Sequence, residues 1–561
     1  MATSIYSSTF PASVEVVRPA ETFPTLTPAQ VARLRPHGIE RAVHAGEIVF
    51  EQGQASTRFF VVLDGAIEIV HPYATGEALI RVHEPGEFTG EFDVLAGTRA
   101  MVRARARRAS LLLELDRAEL RTVLTTEAEI SEILMRAFIL RRGGLISQDR
   151  GDVVLLGSQH SAGTLRVKEF LTRNGHPHVT IDVEHDPGAQ ALLDQFGVGV
   201  ADVPVVVCRG VRVLKNPTTA ELAECLGYTP ALDATKVHDL IVIGAGPAGL
   251  AAAVYGGSEG LDVLVVESIA PGGQAGSSSK IENYLGFPTG ISGQALAARA
   301  FAQAEKFGTD VAIARTATRL RCDRRPYTVE LGAASALARA VVIATGARYH
   351  KPERLPLERF EGVGIYYSAT AVEARLCGGD EIIVVGGGNS AGQAAVYLAR
   401  TARKVHILVR ATGLSQTMSR YLIRRIADTP NIELRVETEI VELTGDGALE
   451  GIAWLDKRTA ERSSHPIRHV FMMTGASPNT ELLGDCVVLD ANGFVKTGPD
   501  LTAEDLTRAG WPLARPPLLF ETSRPGVFAV GDVRANSVKR VASAVGEGSI
   551  CIQLVHKVLA E

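Results

Sequence analysis

The stretch Asp239-Leu-Ile-Val-Ile-Gly-Ala-Gly-Pro-Ala-Gly-Leu250 decides the fold of the C-terminal half of the chain. An apolar strand runs into Gly244, Gly246 and Gly249, and an alanine-rich helix follows. Glycines at this spacing permit a tight turn and let a pyrophosphate approach the helix N-terminus, where free N–H groups and the helix dipole favour anions. A second apolar strand ends in Glu267, at about the spacing expected for a carboxylate that hydrogen-bonds ribose hydroxyls. Together these features predict a dinucleotide site.

A second glycine fingerprint is nested inside the first domain, in Ile382-Ile-Val-Val-Gly-Gly-Gly-Asn-Ser-Ala391. Gly386, Gly388 and Ala391 have G-x-G-x-x-A spacing at the start of a predicted helix. The pattern predicts two nested Rossmann-like domains, one inserted in the other.

Arginines, rather than an acidic residue, follow the next strand of this inserted domain. The strand Lys404–Val409 leads into Arg410, and a predicted helix then carries Arg420, Arg424 and Arg425. NAD recognition needs a carboxylate at this place, whereas the 2′-phosphate of NADPH needs guanidinium groups. We therefore predict a preference for NADPH, with Arg410 and Arg420 as phosphate ligands.

Length and charge limit the class of protein. At 561 residues the chain exceeds a single core, and typical domain sizes predict three or four folding units. The formal net charge is only -5 and the basic residues are dispersed, which excludes nucleic acid as an expected partner. No segment approaches the roughly 18 consecutive apolar residues of a membrane span, and the first residues lack a signal-peptide pattern. We expect no membrane association and a cytoplasmic location.

Cysteine spacing argues against both a metal site and a local redox disulfide, because C-x-x-C never occurs. The six cysteines are Cys208, Cys225, Cys322, Cys377, Cys486 and Cys551.

The hydrophobic pattern predicts four domains. Short β-rich runs separated by glycine turns predict a β-roll, followed by a helix over Glu127–Leu140 that ends at Arg141-Arg-Gly-Gly144. Alternating strands and helices between Asp152 and Gly227 predict a small α/β sandwich, with one of its helices over Ala189–Phe196. The predicted boundaries are 24–141 for the roll, 152–228 for the sandwich, 237–352 and 480–561 for the outer nucleotide domain, and 353–479 for the inserted one.

Four short motifs occur in the order found in low-molecular-weight thioredoxin reductases, which this half of the chain resembles: Gly272-Gly-Gln274, Ile281-Glu-Asn-Tyr284, Ala344-Thr-Gly346 and Val527-Phe-Ala-Val-Gly-Asp532. The resemblance implies FAD in the outer domain, with the helix after Arg540 directed at the flavin. The implied FAD residues are Gly244, Gly246, Pro247, Ala248, Gly249, Glu267, Gly273, Gln274, Asn283, Ala344, Thr345, Gly346, Gly531, Asp532, Arg540, Val541 and Ala542. The implied NADPH residues are Gly386, Gly388, Asn389, Ser390, Ala391, Arg410 and Arg420.

One part of that family's pattern is missing. The family has Cys-Ala-Thr-Cys-Asp before the nicotinamide fingerprint, whereas this chain has Ser368-Ala-Thr-Ala-Val372. A serine hydroxyl has no disulfide state and cannot relay two electrons as a dithiol does. Cys377 lies nearby in sequence, but a lone cysteine is usually a packing residue. We therefore expect no disulfide reduction by the family's usual route, and no catalytic residue or metal ligand is assigned.

The small sandwich resembles thioredoxin and glutaredoxin folds. Asp202-Val-Pro204 stands where those folds have a cis-proline, and Ser161-Ala-Gly-Thr164 occupies the dithiol position. The sulfurs are absent here as well, so the resemblance implies a docking or spacing role. Cys208 and Cys225 could in principle pair, but we expect both to be core residues.

The N-terminal roll resembles a cyclic-nucleotide-binding domain, on Pro85-Gly-Glu-Phe88, Gly90-Glu-Phe92 and Arg99. The resemblance implies that Glu91 binds the ribose 2′-hydroxyl and Arg99 the cyclic phosphate. The alternative is a β-roll retained for dimer contacts or regulation.

These patterns predict an FAD-dependent oxidoreductase that passes electrons from NADPH to a small-molecule or redox-protein acceptor, and a homodimer. Two alternatives stay open. One is a flavoprotein sensor that responds to a nucleotide or to its redox state, and the other is a disulfide reductase that uses remote thiols.

Overall fold

In the computed structural model the chain divides into two compact units, residues 1–150 and 151–561. The structure describes residues 19–54, 58–73, 76–90, 94–95, 99–147, 153–158, 161–184, 186, 202–208, 212–229, 232–278, 281, 284–349, 355–360, 363–367, 369, 371–446, 448–474 and 476–561. None of the helices in these ranges is long and apolar enough to cross a membrane.

The N-terminal unit contains two four-stranded sheets, which confirms the predicted β-roll. Its strands are β1 (Ile39–Val43), β2 (Ile48–Phe50), β3 (Arg58–Asp64), β4 (Ile67–Tyr73), β5 (Gly76–His83), β6 (Phe88–Thr89), β7 (Arg103–Ala106) and β8 (Ser110–Asp116). Its helices are α1 (Pro19–Thr22), α2 (Pro28–Leu34), α3 (Arg117–Thr126) and α4 (Ala128–Ser147), with a 3₁₀ turn at Arg35–His37. The sheet orders are β1-β8-β3-β6 and β2-β7-β4-β5.

Apolar residues of the strands and helices close the roll. Phe59, Phe88 and Phe138 are fully buried, and their rings meet at centroid distances of 5.6 to 6.2 Å. The predicted end of the last helix was wrong, because α4 continues through Gly143 and Gly144 to Ser147. Glycine lowers helix propensity by only about 1 kcal/mol, which the packing of the rest of α4 can offset.

In its described residues the second unit begins with four strands and two helices, which we call the middle module. They are β9 (Val153–Gly157), α5 (Ala162–Arg173), β10 (His178–Asp182), β11 (Val205–Cys208), β12 (Arg212–Lys215) and α6 (Thr219–Leu226), and the sheet order is β10-β9-β11-β12. Thr218 and Glu221 form a capping box at the start of α6, and Gly227 ends it in the left-handed conformation. The Val203–Pro204 bond is cis, as predicted. The helix expected over Ala189–Phe196 lies outside the described residues.

A seven-stranded sheet, the outer sheet, follows in the order β15-β14-β13-β18-β17-β16, with β29 beside β18. Its elements are β13 (Val237–Ile243), α7 (Pro247–Ser258), β14 (Val263–Glu267), α8 (Gly273–Gly276), α9 (Gly293–Lys306), β15 (Asp310–Ile313), β16 (Arg319–Arg321), β17 (Tyr327–Leu331) and β18 (Ala334–Ile343). The strand β13 lies between β14 and β18, parallel to both. Strands buried on both faces read as continuous apolar runs, as β13 does.

The chain then crosses to a second parallel sheet, the inserted sheet, of order β20-β27-β21-β22-β23. Its elements, with the crossing strands, are β19 (Ala347–Tyr349), β20 (Ile365–Tyr366), α10 (Ala371–Leu376), β21 (Glu381–Val385), α11 (Asn389–Leu398), β22 (Lys404–Leu408), α12 (Arg420–Ala427), β23 (Ile432–Arg435), β27 (His469–Met472) and β28 (Ala476–Pro478). Between β23 and β27 the strands β24 (Thr438–Thr444), β25 (Gly451–Asp456) and β26 (Glu461–His465) form a separate antiparallel sheet. The outward and return crossings pair antiparallel as β19 and β28.

The C-terminal segment completes the outer sheet. It contains α13 (Ala503–Ala509), β29 (Val527–Ala529) and α14 (Val541–Ala560), with 3₁₀ turns at Leu357–Arg359, Glu481–Leu483, Gly498–Asp500 and Gly531–Val533 along the second unit. A β-carbon on Gly548 would lie 2.1 Å from the carbonyl oxygen of Ala248, so α14 crosses α7 with the backbones nearly in contact.

Cys322 and Cys486 form a disulfide, with Cα atoms 5.7 Å apart and a sequence separation of 164 residues. The pair joins the segments before and after the inserted sheet. Cysteine spacing did not indicate this pairing, because spacing carries no information about contacts at such a separation. The other four cysteines are buried.

The buried carboxylate of Glu521 stabilises the C-terminal segment of the chain. Glu521 has no exposed side-chain surface, and it accepts hydrogen bonds from Arg515 Nη1 at 2.7 Å and from the backbone N–H of Gly526 at 2.9 Å. Arg515 Nε also donates to Glu561 Oε1 at 2.6 Å, so one guanidinium joins two carboxylates of the C-terminal segment.

We expect Arg515→Met to lower the free energy of unfolding by about 3 to 5 kcal/mol, because it leaves the Glu521 carboxylate buried without its cation. The matched control is Arg508→Met, which removes a 66% exposed arginine from its pair with Asp505 and should cost under about 1 kcal/mol. Urea unfolding followed by circular dichroism measures both. Equal losses in the two variants would contradict the expectation.

Candidate functional site

A cavity of about 2020 Å³ opens in the second unit, between the outer sheet, the inserted sheet and the middle module. Many residues of the predicted nucleotide sites line it: Gly244, Gly246, Pro247, Ala248, Glu267, Gly273, Gln274, Ala344, Thr345, Gly346, Asn389, Ser390, Gly531, Asp532, Arg540 and Val541. The turn after β13 and the residues that follow the turn after β21, Asn389 and Ser390, line this one cavity, although the two strands belong to different sheets.

The first glycine turn is shaped by two contacts that exclude side chains. Gly244 has φ +103°, and a β-carbon on Gly249 would lie 1.9 Å from the carbonyl oxygen of Gly244. Helix α7 therefore begins directly against the end of β13. At Gly246 the situation is opposite, since the nearest atom to a β-carbon would be the Cα of Gly273, 4.0 Å away. The space beside Gly246 is open, as the approach of a pyrophosphate requires.

Glu267 connects this turn to the end of β14. Its Oε2 accepts the backbone N–H of Ala245 at 2.8 Å, and its Oε1 accepts those of Ile269 at 2.9 Å and Ala270 at 3.3 Å. The side chain is buried and also lines the cavity. The carboxylate therefore holds the turn in place and can still accept ribose hydroxyls with its remaining lone pairs.

The motif Gly272-Gly-Gln274 closes over the first turn. The N–H of Gly272 donates to the carbonyl of Ala245 at 2.7 Å, and Gln274 Nε2 donates to the carbonyl of Ala347 on the outward crossing. A β-carbon on Gly273 would lie 3.0 Å from the Cα of Gly246. The two glycine-rich loops thus approach each other at backbone distance.

Residues of Ala344-Thr-Gly346 connect to the return crossing. Thr345 Oγ1 donates to the carbonyl of Asn479 at 2.7 Å, and Asn479 Nδ2 donates to the carbonyl of Thr345 at 2.8 Å. The N–H of Asn479 donates to the carbonyl of Gly346 at 3.0 Å. This motif therefore connects the outward and return crossings between the two sheets by hydrogen bonds. Its position in the sequence did not predict this role.

Asp532 stands on the cavity wall, and burial raises the pKa of its carboxyl group, while Lys539 acts in the opposite direction. Glu547 on α14 accepts the N–H of Gly531 at 2.7 Å and pairs with Arg534 at 2.6 Å. Sequence reasoning missed Glu547 and Arg534, which fix the loop that carries Asp532. A carboxylate buried beside a cavity fits hydrogen bonding to ligand hydroxyls.

Helix α14 begins where it was predicted, with Arg540 as the residue before its first turn. Arg540 and Val541 line the cavity, whereas the side chain of Ala542 is exposed on the other side of the helix. Only the backbone of Ala542 can face a ligand at this helix end.

The second glycine turn repeats the construction. Gly386 has φ +139°, and a β-carbon there would lie 2.1 Å from the carbonyl oxygen of Met473, whereas Gly388 has no neighbour within 4 Å. Asn389 Oδ1 accepts the N–H of Ser419 at 2.8 Å, so this predicted ligand also positions the loop before α12. Ala391 is buried behind the turn.

The arginines of the inserted sheet divide into two groups. Arg410 follows β22 and is exposed, as is Arg420 at the start of α12, and neither lines the cavity. Arg400 and Arg425 do line it, and Arg425 Nη1 donates to the Tyr421 hydroxyl at 3.2 Å. The sequence placed Arg425 on the correct helix, but only the structure shows that its side chain faces the cavity.

Several predicted residues lie outside the described ranges. These are Asn283, Glu91, and Ser368 and Thr370 of the segment that replaces the family's dithiol. Ala369 between them lines the cavity. Arg99 of the N-terminal roll is exposed, and its Nη1 donates to the carbonyl of Gly53 at 3.1 Å.

Comparison with known families agrees with this geometry. Residues 238–548 match the family described as pyridine nucleotide-disulphide oxidoreductase. The chain belongs to this family. It is an FAD-dependent pyridine nucleotide oxidoreductase, of a type that uses FAD and NADPH. Residues 40–127 match the cyclic nucleotide-binding domain, so the oxidoreductase carries that domain as an N-terminal fusion.

Thioredoxin reductases are similar to the same half of this oxidoreductase. The thioredoxin reductase of Listeria monocytogenes is 31% identical over 328 residues, which cover 58% of this chain and 95% of the relative. The NADPH-dependent thioredoxin reductase 3 of Arabidopsis thaliana is 33% identical over 361 residues, 61% of this chain and 64% of the relative. The crystal structure of Lactococcus lactis thioredoxin reductase superposes with a TM-score of 0.51 at 27% identity, covering 58% of this chain and 99% of that one.

We expect Gly246→Val to abolish FAD retention while leaving the secondary structure intact, because its side chain would enter the open space beside the turn. The matched variant Gly388→Val makes the same change in the second turn, which also has open space, and should keep FAD but lose NADPH binding. Flavin absorbance per protein and fluorescence titration with NADPH measure the two effects. Wild-type flavin content in Gly246→Val would show that the first site is misplaced.

Proposed function

We propose that this oxidoreductase takes electrons from NADPH and passes them through FAD to an acceptor. This acceptor is not a protein disulfide that is reduced through a redox dithiol, as in the family's usual route. The observation that carries the proposal is the position of the cysteines relative to the cavity. All six cysteines lie in described parts of the chain, and none of them lines the cavity.

Cys377 is the free cysteine closest in sequence to the missing dithiol. It is fully buried, and burial raises the pKa of its thiol to about 11. The thiolate that would attack a flavin or a disulfide is therefore scarce near neutral pH. Cys551 is buried too, and burial raises the pKa of its thiol well above the ordinary value.

Cys208 and Cys225 are buried in the core of the middle module, and neither lines the cavity. Cys322 and Cys486 form their disulfide beside the outer sheet, where their side chains pack against its core. These positions favour structural roles for all six and weigh against the alternative of remote redox thiols.

In the proposed reaction, FAD would accept two electrons and release them one or two at a time. The protein residues would bind and orient FAD and NADPH. The first turn, Glu267 and Asp532 would hold the FAD, while Gly388 and α11 would hold the NADPH pyrophosphate. Ala369 and Tyr366 line the same cavity, and burial raises the pKa of the Tyr366 hydroxyl, which makes Tyr366 a weaker proton donor.

The domain limits and the nature of the middle module belong to the same proposal. Its sheet order, the cis bond before Pro204 and the helix α5 that starts at Ala162 support a thioredoxin-like module without a dithiol. We propose the boundaries 152–228 for this module, 237–352 and 480–561 for the FAD domain, and 353–479 for the NADPH domain. A homodimer is part of the proposal.

Acceptor assays test the function directly. We expect NADPH-dependent reduction of small dyes that reach the flavin, and negligible reduction of thioredoxin or DTNB, because no thiol lines the cavity. Alkylation of the folded enzyme should leave dye turnover unchanged. Stopped-flow flavin reduction should show a single fast phase. Vigorous thioredoxin turnover that survives thiol alkylation would overturn the proposal.

Cofactor preference is tested on two arginines. Arg410→Ala should raise the NADPH Michaelis constant on the order of ten-fold and leave that for NADH nearly unchanged, since it removes a charge-assisted bond to the 2′-phosphate. Arg425→Ala tests in the same assay the alternative that Arg425, which lines the cavity, binds the 2′-phosphate. Arg403→Ala, at the opposite end of β22 and 69% exposed, is the control. Equal losses with NADPH and NADH would mean a structural role.

The N-terminal roll supports a second proposal, regulation by a nucleotide. The match of residues 40–127 and the contact of Arg99 with Gly53, which joins two loops of one roll, favour it. Glu91 and Arg99 are the proposed ligands. A cyclic nucleotide that changes the rate of dye reduction would distinguish this role from a purely structural roll.

A further inference from the structure

The C-terminal end of α5 in the middle module touches the loops that surround the first nucleotide site. Arg173 Nη2 donates to the carbonyl of Gly273 at 2.9 Å, across 100 residues of sequence. Gly273 stands beside Gly246 and directly before Gln274. The module therefore reaches into the loop that closes over the turn.

Two neighbouring contacts hold the same end of the helix. Asn174 Nδ2 donates to the carbonyl of Ile269 at 3.1 Å, and Gln294 Nε2 donates to the carbonyl of Thr172 at 2.5 Å. Ile269 follows Glu267 in the chain, and Gln294 lies at the start of α9. Three different segments of the outer domain are thus joined to one turn of α5.

Arg173 is well placed to act on the site rather than only to support the interface. Its side chain is 16% exposed and lines the cavity, and its pair with Glu169 is long, 3.5 Å. Its Nε is buried without a hydrogen-bond partner among the described atoms. A guanidinium in such surroundings interacts more strongly with nearby charge and dipoles than one in water does.

We propose that Arg173 is a positioning residue for the flavin. By its bond to Gly273 it helps to hold the loop Gly272-Gly-Gln274, in which both glycines have a positive φ, +104° and +53°. Its charge also makes the cavity more favourable for the negative charge of a reduced flavin. The middle module then stabilises a loop of the FAD site and does not carry electrons. This inference rests on the proposed function.

The test compares three substitutions in the full-length protein. Arg173→Met removes charge and donors, Arg173→Gln keeps a donor without charge, and Arg173→Lys keeps the charge. We expect the FAD dissociation constant to rise on the order of ten-fold in Arg173→Met, less in Arg173→Gln and least in Arg173→Lys. The flavin midpoint potential should become more negative in the two neutral variants and be restored in Arg173→Lys, with a matching shift of the visible flavin band.

Arg212→Met is the control, because Arg212 is exposed on β12 of the same module. It should leave FAD affinity, spectrum and potential unchanged. If Arg173→Met or Arg173→Gln folded and kept the flavin spectrum and midpoint potential of the wild type, the inference about Arg173 would be wrong. The proposed function would then be unaffected. Failure of the wild-type chain to bind FAD would instead count against the proposed function.

Discussion

A β-carbon at Gly249 would lie 1.9 Å from the carbonyl oxygen of Gly244, and the architecture of the site depends on this close approach. It lets α7 start directly at the end of β13 and direct its first N–H groups at the cavity. Glu267 then fixes the turn by accepting the N–H of Ala245, and α14 lies against α7 because Gly548 also lacks a side chain. Each later element of the FAD site is placed relative to this turn.

The two nucleotide sheets share one cavity because the chain crosses between them twice at the same place. The crossings pair as β19 and β28, and Asn479 binds both Thr345 and Gly346. This arrangement brings two glycine turns, far apart in sequence, to one space. The fold supports the chemistry of the pyridine nucleotide-disulphide oxidoreductases, but the acceptor depends on the side chains that line the cavity. No cysteine is among those lining it in the described parts of the chain.

The contacts of the middle module with the outer domain lie at one end of α5. Arg173 and Asn174 make them at the C-terminal end, whereas Ser161-Ala-Gly-Thr164 lies at the start of the helix. These contacts are hydrogen bonds of side chains to backbone carbonyls. They therefore need no thiol at the other end of the helix.

The sequence by itself determined the two glycine turns, the strands that lead into them, the position of Glu267 at the end of β14 and the start of α14. These features are encoded locally, by runs of apolar residues and by glycines that the backbone geometry requires at fixed spacing. Only the tertiary structure decided that Glu547 holds the Gly531 loop, that Arg425 faces the cavity while Arg410 does not, and that Arg173 reaches Gly273. These are contacts of single side chains across long stretches of chain, and such contacts leave no periodic pattern in the sequence.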